Sequence, residues 1–345
     1  PAAEKAHSGA YCLPAAAACF AASTALAGSA LLPRAALAQA EKLRYLTPFG
    51  YLLNFFETMY ADTGGFFAKN GLEVEISGGR GSAMAVQQVV AGNFLVSRTG
   101  GTDLIKAAVK EPSVVAIAEI FQRDLFHVVS AEAKPVRTPK DFAGKTVGLN
   151  SRGGATENLL DMMLAQEGIA PDSVKRETTG DSPGAWEFLA QGRVDAFFVT
   201  QNQVLVLSQQ KKPMLAWSTD KFAPAPAQVY ITSRKALAER PEALARFLRG
   251  VHDTLGALYK EQDLGKVIDS MLKKYPEIAG VKAPDRGVSL VQNGLEAYRP
   301  AWRDKFASSA AGWKSAYEQM VKAKIIEPVA KPDFHTDDIR KRAFG

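Results

Sequence analysis

The chain has 345 residues, 47% of them hydrophobic and 23% charged, and a formal net charge of +6. That length is enough for two ordinary domains, and the composition is that of a globular protein rather than a disordered or fibrous one. The positive charges are scattered, with no long basic run and no nucleic-acid motif, so nothing points to nucleic acid as a partner.

The first forty residues stand apart. An apolar, alanine-rich run ends in Ala36-Leu37-Ala38 and Ala38-Gln39-Ala40. Both are A-x-A cleavage patterns, so residues 1–40 are read as a secretion signal, with the processed chain starting near Gln39 or Glu41. Pro14 and Pro33 interrupt the run and small residues dominate it, which argues against a membrane anchor. Cys12 and Cys19 both fall inside this segment. The processed chain therefore has no thiol, which excludes a disulfide framework, thiol catalysis and cysteine metal sites. Processing removes Lys5, Arg34 and Glu4 and leaves a net charge of +5. A cysteine-free exported chain fits the bacterial periplasm.

Beyond residue 40, strands and helices alternate. "KLRYLT" (42–47) reads as a strand and 53–63 as a helix. "LEVEIS" (72–77) is a strand, and "AMAVQQVVAG" a helix. "FLVSR" (94–98) is a short strand, "TDLIKAAVK" a helix, and "SVVAIAEIF" (113–121) a long apolar strand. "LFHVVS" (125–130), "KTVGLN", a helix over 155–167, "VKRETT", a helix over 184–191, "VDAFFVT" and "MLAWS" continue the pattern up to "AQVYITS" (227–233). From there the chain is mostly helical. Alternation of this kind means an α/β fold with mainly parallel sheets.

Two glycine-rich loops follow strands and open helices: Gly78-Gly79-Arg80-Gly81-Ser82, and Asn150-Ser151-Arg152-Gly153-Gly154. A helix start offers unpaired N–H groups and the positive end of a dipole. Glycine lets the backbone approach closely, so an anionic group is the natural guest. Each loop carries one Arg and one Ser, and the expectation is that Arg80 and Arg152 face each other and share one anion. Read singly, each Ser could equally cap its helix while each Arg is solvated.

Residues 45–235 contain the segments "YADTGGFFAKNGLEVEI", "GSAMAVQQVVAG", "PSVVAIAEIFQRD", "TPKDFAGKTVGLNSRGGATENLLDMMLAQEGIAPD" and "LAQGRVDAFFV". On these segments the region resembles the ABC-transporter solute-binding proteins of the sulfonate, taurine, nitrate and thiamine-pyrimidine (NMT1/THI5-like) family. The chain departs from the family at Phe94–Arg98, where "ADF" is usual after the glycine, and places Arg98 where small residues are common. The resemblance implies a two-lobed α/β fold of the type II-like periplasmic-binding-protein kind, with two hinge crossovers, a helical C-terminal region and a ligand between the lobes. On that template lobe 1 is 41–124 plus 226–345 and lobe 2 is 125–225, with crossovers near 122–126 and 222–228. The cleft would then be lined by Phe49, Tyr51 and Asn54, by Arg80, Gly81 and Ser82, and by Arg98, Thr99 and Gly100. From the other lobe would come Asn150, Ser151, Arg152, Thr156, Asp181, Thr200, Gln201 and Asn202. The implied function is that of a periplasmic binding component, expected as a monomer, that delivers a small organic anion (sulfonate or carboxylate) to an inner-membrane ABC permease. A neutral aromatic heterocycle, pyrimidine or flavin-like, is the alternative. No cofactor or metal is expected.

An enzyme reading has two forms. "GDSPG" (180–184) matches G-x-S-x-G, but a nucleophilic Ser182 would need His252 or His335 as its base, and both fall in segments assigned to the other lobe. Pro183 at a helix start, with Asp181 or Ser182 as cap, accounts for the same residues without chemistry. A thiamine-pyrimidine synthase, the enzyme branch of the same superfamily, sits badly with an export signal and three histidines after residue 40, His127, His252 and His335.

Overall fold

Two five-stranded sheets carry the structure, a computed structural model that describes residues 40–122, 125–182, 184–279, 281, 285 and 287–345. All of the expected secretion signal except Ala40 lies outside the described residues. The first sheet begins with β1 (Glu41–Thr47), α1 (Phe56–Thr63), α2 (Phe66–Lys69), β2 (Leu72–Gly78), α3 (Ser82–Val90), β3 (Val96–Gly100), α4 (Gly101–Lys110) and β4 (Val114–Phe121). The chain then crosses to the second sheet, made of β5 (Phe126–Ala131), β6 (Thr146–Leu149), α5 (Ala155–Gln166), β7 (Lys175–Thr178), α6 (Ala185–Ala190), β8 (Ala196–Thr200), α7 (Gln201–Gln209) and β9 (Met214–Ser218). It returns to the first sheet as β10 (Gln228–Ser233). The helical remainder is α8 (Arg234–Glu239), α9 (Pro241–Leu258), α10 (Leu264–Lys274), α11 (Val288–Arg303), α12 (Ala310–Lys322) and α13 (Asp338–Phe344).

The strand orders are β2-β1-β3-β10-β4 and β7-β6-β8-β5-β9. Both sheets follow one plan. Three parallel strands lie on one side, and the strand that has just crossed from the other lobe is inserted antiparallel beside them. A last strand then pairs antiparallel with the inserted one. Each sheet is thus mixed rather than simply parallel, although four of its five strands point the same way. The crossing strand reverses direction because the chain enters the sheet from the side facing the other lobe. The two crossovers are neighbours, with Ala227 N donating to Phe121 O at 3.1 Å.

Helices cover both faces of each sheet, as an α/β chain requires. On one face of the first sheet α9 presents Leu244, Phe247, Leu248, Val251, Leu255 and Leu258, a stripe at helical spacing, to Tyr45, Tyr230 and the β-face. On the other face α3 and α4 join a core that continues into the second lobe through Val147, Leu159 and Met163. A smaller core around Trp186, Phe197 and Leu207 lies beneath α6 and α7. All eight residues of β4 are buried, which its unbroken apolar run foretells. The strand expected at 94–98 sits two residues later. Asn93 and Phe94 close the turn after α3, both amides donating to Gln88 O, and Phe94 packs beneath the Arg44 guanidinium.

The C-terminal segment makes an excursion of its own. Both its ends are fastened to β4. Ser309 N donates to Glu119 Oε2 at 3.0 Å, while Ala116 exchanges backbone bonds of 2.9 Å with Phe334 O and Thr336 N. Between these anchors α12 lies against both α4 and α5, with Gln319 bonded to Gln166, so it spans the two lobes. The chain has positive φ at Lys305 (49°) and Phe306 (60°) before α12 and at Lys324 (57°) after it.

Glu119 is 1% exposed. Burial pushes its carboxyl up to about 7, against the pull of the Ser309 amide. The folded state therefore keeps a proton that the unfolded chain releases near 4.5. By linkage, stability falls as pH rises from about 4.5 to about 7 and is level above that. Glu119→Gln should remove this component, about 3 kcal/mol. Urea unfolding of both proteins at pH 5 and pH 8 checks it, because the variant's advantage must be larger at pH 8.

Candidate functional site

In each sheet the strand order reverses between the first and third strands of its parallel trio, so the loops leaving them diverge and open a crevice. The four loops concerned follow β1, β3, β6 and β8, and the two crevices face each other beside the crossovers.

The loop after β1 is locked to the loop after β2. Gly79 N donates to Thr47 O at 2.7 Å, Gly81 N to Pro48 O at 2.6 Å and Gly50 N to Gly79 O at 2.9 Å, while Phe49 and Arg80 form a backbone bridge. A Cβ on Gly79 would stand 2.5 Å from Thr47 O, so only glycine allows this layering. Phe49 is left 50% exposed. Tyr51 turns into the wall instead, stacked on Tyr275 and donating to Ile76 O at 3.1 Å.

Arg98 lies in the middle of β3, 3% exposed, and is held from several sides. Its Nη1 donates to Glu57 Oε1 at 3.1 Å and to the Tyr298 hydroxyl at 2.7 Å, and its Nε donates to Gln228 Oε1 at 2.9 Å. Tyr230 OH donates to the same Glu57 oxygen at 3.0 Å. The guanidinium carbon is 5.0 Å from the ring centres of both Phe55 and Phe121. Burial works against the charge, but the neighbouring Tyr298 and Glu57 outweigh it and hold the guanidinium firmly protonated. The same burial, with Glu57 close by, raises the Tyr230 and Tyr298 phenols.

One edge of this cluster faces the second lobe. Arg98, Asn54, Phe121 and Tyr298 line a small cleft with Asn293 and Gly294 of α11, and Leu125, Thr200, Gln201 and Asn202 close it from the other side. Five residues expected at the site therefore meet here: Asn54, Arg98, Thr200, Gln201 and Asn202. Thr99, fully buried, has a hydroxyl without a hydrogen-bond partner among the described residues. Asp181 is occupied, accepting Thr200 N at 2.9 Å and Thr200 Oγ1 at 3.1 Å, and so anchors the start of α7. Glu57, Asn293 and Tyr298 were not anticipated. The available signal was Gly294 inside a helical pattern, which usually marks close packing. A Cβ there would meet the Phe56 ring at 2.5 Å.

The other side of the interlobe face is filled by the protein itself, and here the expected pairing of Arg80 with Arg152 gives way. Arg152 lies on its own helix, with Nη1 3.1 Å from Glu157 Oε1, and Gly153 N also donates to Glu157. Arg80 is exposed and, among the described residues, has no ion-pair partner. Between the loops stands Asp103. Asn158 Nδ2 donates to its Oδ1 at 3.2 Å across the lobes, and Lys106 reaches Gly153 O at 3.5 Å and Asn158 Oδ1 at 3.4 Å. Burial pushes Asp103 up to about 6, opposed by a bond from Ser82. Ser82 therefore lies near an internal acidic group. Thr156 Oγ1 accepts Asn150 N at 3.2 Å, and the Ser151 hydroxyl lies against Gly154. The start of α5 reaches α4 here, since a Cβ on Gly100 would lie 3.7 Å from that of Ala155.

Ser182 finds no base in either expected histidine. His252 is packed among Trp302, Phe306 and Phe344, and His335 is stacked on Trp313.

The NMT1/THI5-like family model matches residues 53–263, more than half of the chain. The chain belongs to the NMT1/THI5-like family. A formylaminopyrimidine-binding protein from Halalkalibacterium halodurans is 26% identical over 189 residues, 54% of this chain and 56% of that protein. The chain thus spans about half the length of this curated relative. Among solved structures, a protein from Bordetella bronchiseptica RB50 superposes with a TM-score of 0.67 at 19% identity, covering 88% of this chain and 97% of that one. A putative periplasmic sulfonate-binding protein of an ABC transporter from Methylobacillus flagellatus KT gives 0.64 at 15% identity, covering 88% and 94%. The periplasmic aliphatic sulphonate binding protein from Escherichia coli gives 0.56 at 17%, covering 88% and 97%. The fold is accordingly the two-lobed periplasmic-binding-protein fold. Among the described residues of this family member, no helix is long and apolar enough to cross a membrane.

The buried pair yields a stability test. Arg98→Met strands Glu57 without its cation and should cost about 3–5 kcal/mol, while Arg98→Met with Glu57→Gln should recover most of that loss. Denaturant unfolding of the two single variants and the double variant measures the coupling, and additive losses would contradict it.

Proposed function

We propose that this protein is the solute-binding component of an ABC importer, working in the periplasm after removal of residues 1–40 and docking on an inner-membrane permease. Its lobes, 41–124 plus 226–345 and 125–225, close on a small uncharged planar molecule, a pyrimidine-like heterocycle. The observation that carries the choice of ligand is that the Arg98 charge is spent inside the lobe on Glu57. What remains on the cleft wall is a set of carboxamides (Asn54, Gln201, Asn202 and Asn293) beside the aromatic rings of Phe121 and Tyr298. Carboxamides donate and accept, so they suit the mixed edge of a heterocycle, and rings suit its faces. The name of the Halalkalibacterium relative supports the same reading. Micromolar binding needs about 8 kcal/mol net, within reach of a few such hydrogen bonds and one stacked ring.

A small organic anion, sulfonate or carboxylate, is the second reading. It is favoured by Arg80, which lies beside Phe49, is exposed and has no ion-pair partner among the described residues. The family match and the commitment of both expected histidines favour binding over catalysis.

A thermal-shift series decides between the ligand classes, because a ligand of the folded state raises the melting temperature by mass action. Aminopyrimidines should raise it and alkanesulfonates should not. Calorimetry on Arg80→Ala should then leave the pyrimidine affinity unchanged. A sulfonate response lost in Arg80→Ala would establish the anionic reading.

A further inference from the structure

We propose that Glu57 is the residue that sets the charge selectivity of the cleft: by neutralising Arg98 from behind, it makes the site one for uncharged molecules. The inference rests on the reading of the cleft given above. Glu57 opens α1 and is fully buried, a rare state for a glutamate unless it is paired. It is not on the cleft wall, whereas Arg98 is. The carboxylate stands on the inner side of the guanidinium, sharing one oxygen between Arg98 and the Tyr230 hydroxyl. Among the described residues its second oxygen has no well-formed hydrogen bond, while the Tyr298 hydroxyl also interacts with the carboxylate.

Arg98 is a cation that cannot discharge itself, because guanidinium does not release its proton in proteins. A buried cation without a counter-charge is costly, so it must draw an anion from wherever one can reach it. In this chain the answering charge comes from inside. With that charge removed, the approach open to an anion is the cleft edge, where the present acceptor of Nη1 is the Asn54 carbonyl, in a long bond of 3.5 Å that an anion would displace. Glu57→Gln keeps the shape and an acceptor for Tyr230 while deleting the charge. It should turn the cleft from neutral-selective to anion-binding.

The test uses the processed chain, with methanesulfonate as the anionic probe and 4-amino-2-methylpyrimidine as the neutral one, read by calorimetry. Glu57→Gln should bind methanesulfonate at least about tenfold more tightly than wild type does, the strength of one charge-assisted contact. Glu57→Gln with Arg98→Gln should lose that gain. A folded Glu57→Gln protein with no gain overturns the inference, as does a wild type that already binds methanesulfonate and stops doing so in Arg98→Gln. If Glu57→Gln does not fold, the double variant decides. Pyrimidine affinity within about threefold of wild type supports a silent charge pair, and a loss of tenfold or more overturns it. The pyrimidine arm on wild type reports separately on the ligand class. No wild-type response there, with the methanesulfonate gain intact, refutes the heterocycle reading and leaves the role of Glu57 standing.

Discussion

A charge placed in the middle of a buried strand must be answered within bonding distance, and much of the first lobe is arranged around that demand. Arg98 on β3 requires Glu57 from α1, Tyr298 from α11 and Gln228 from β10. Those four elements come from three distant stretches of the chain. The ion pair therefore brings the N-terminal helix, the returning crossover strand and the C-terminal helices to one point. The net energy of such a pair is small once desolvation is counted, but its geometry is exacting, and geometry is what a cleft wall needs.

The fold was readable because its signals are local. The apolar run of β4, the alternation in β2 and the α9 stripe each follow from residues close in sequence. The antiparallel insertion of β5 and β10 was not readable, since strand direction within a sheet depends on where a crossover delivers the chain. The site was legible in part for the same reason. Thr200 closes β8, Gln201 and Asn202 follow it and Asn54 follows β1, and strand ends can be counted along the chain. Glu57 and Asn293 sit inside helices whose facing is fixed by tertiary packing, so nothing adjacent in sequence marks them. Arg98 was visible as an oddity, but its partners, up to 200 residues away, were not.

The two glycine-rich loops show how a correct local reading can carry a wrong partner. Both do open helices, and the chain does bring a negative charge to them. That charge belongs to the protein: Asp103 lies near Ser82 in its own lobe and accepts from Asn158 in the other. Arg152, read as an anion ligand, has Glu157 five residues on, and Gly153 completes the turn around the same carboxylate. A loop rich in donors attracts the nearest acceptor, and in a folded chain the nearest acceptor is often a side chain already tethered there.

The excursion of α12 bears on how far the lobes can move. Were the two crossovers the sole attachments, the second sheet could swing about them with little resistance. With α12 seated on both α4 and α5, any swing must either shear α5 across α12 or carry α12 with it. Carrying it means turning the backbone at Lys305, Phe306 and Lys324, which already sit in the sparsely populated left-handed region. The stiffness of the whole molecule is then written partly into three backbone positions, two exposed lysines and a buried phenylalanine, that lie outside the small cleft. Substitutions at those positions would make a swing of the lobes cheaper or dearer without touching a residue that lines the small cleft.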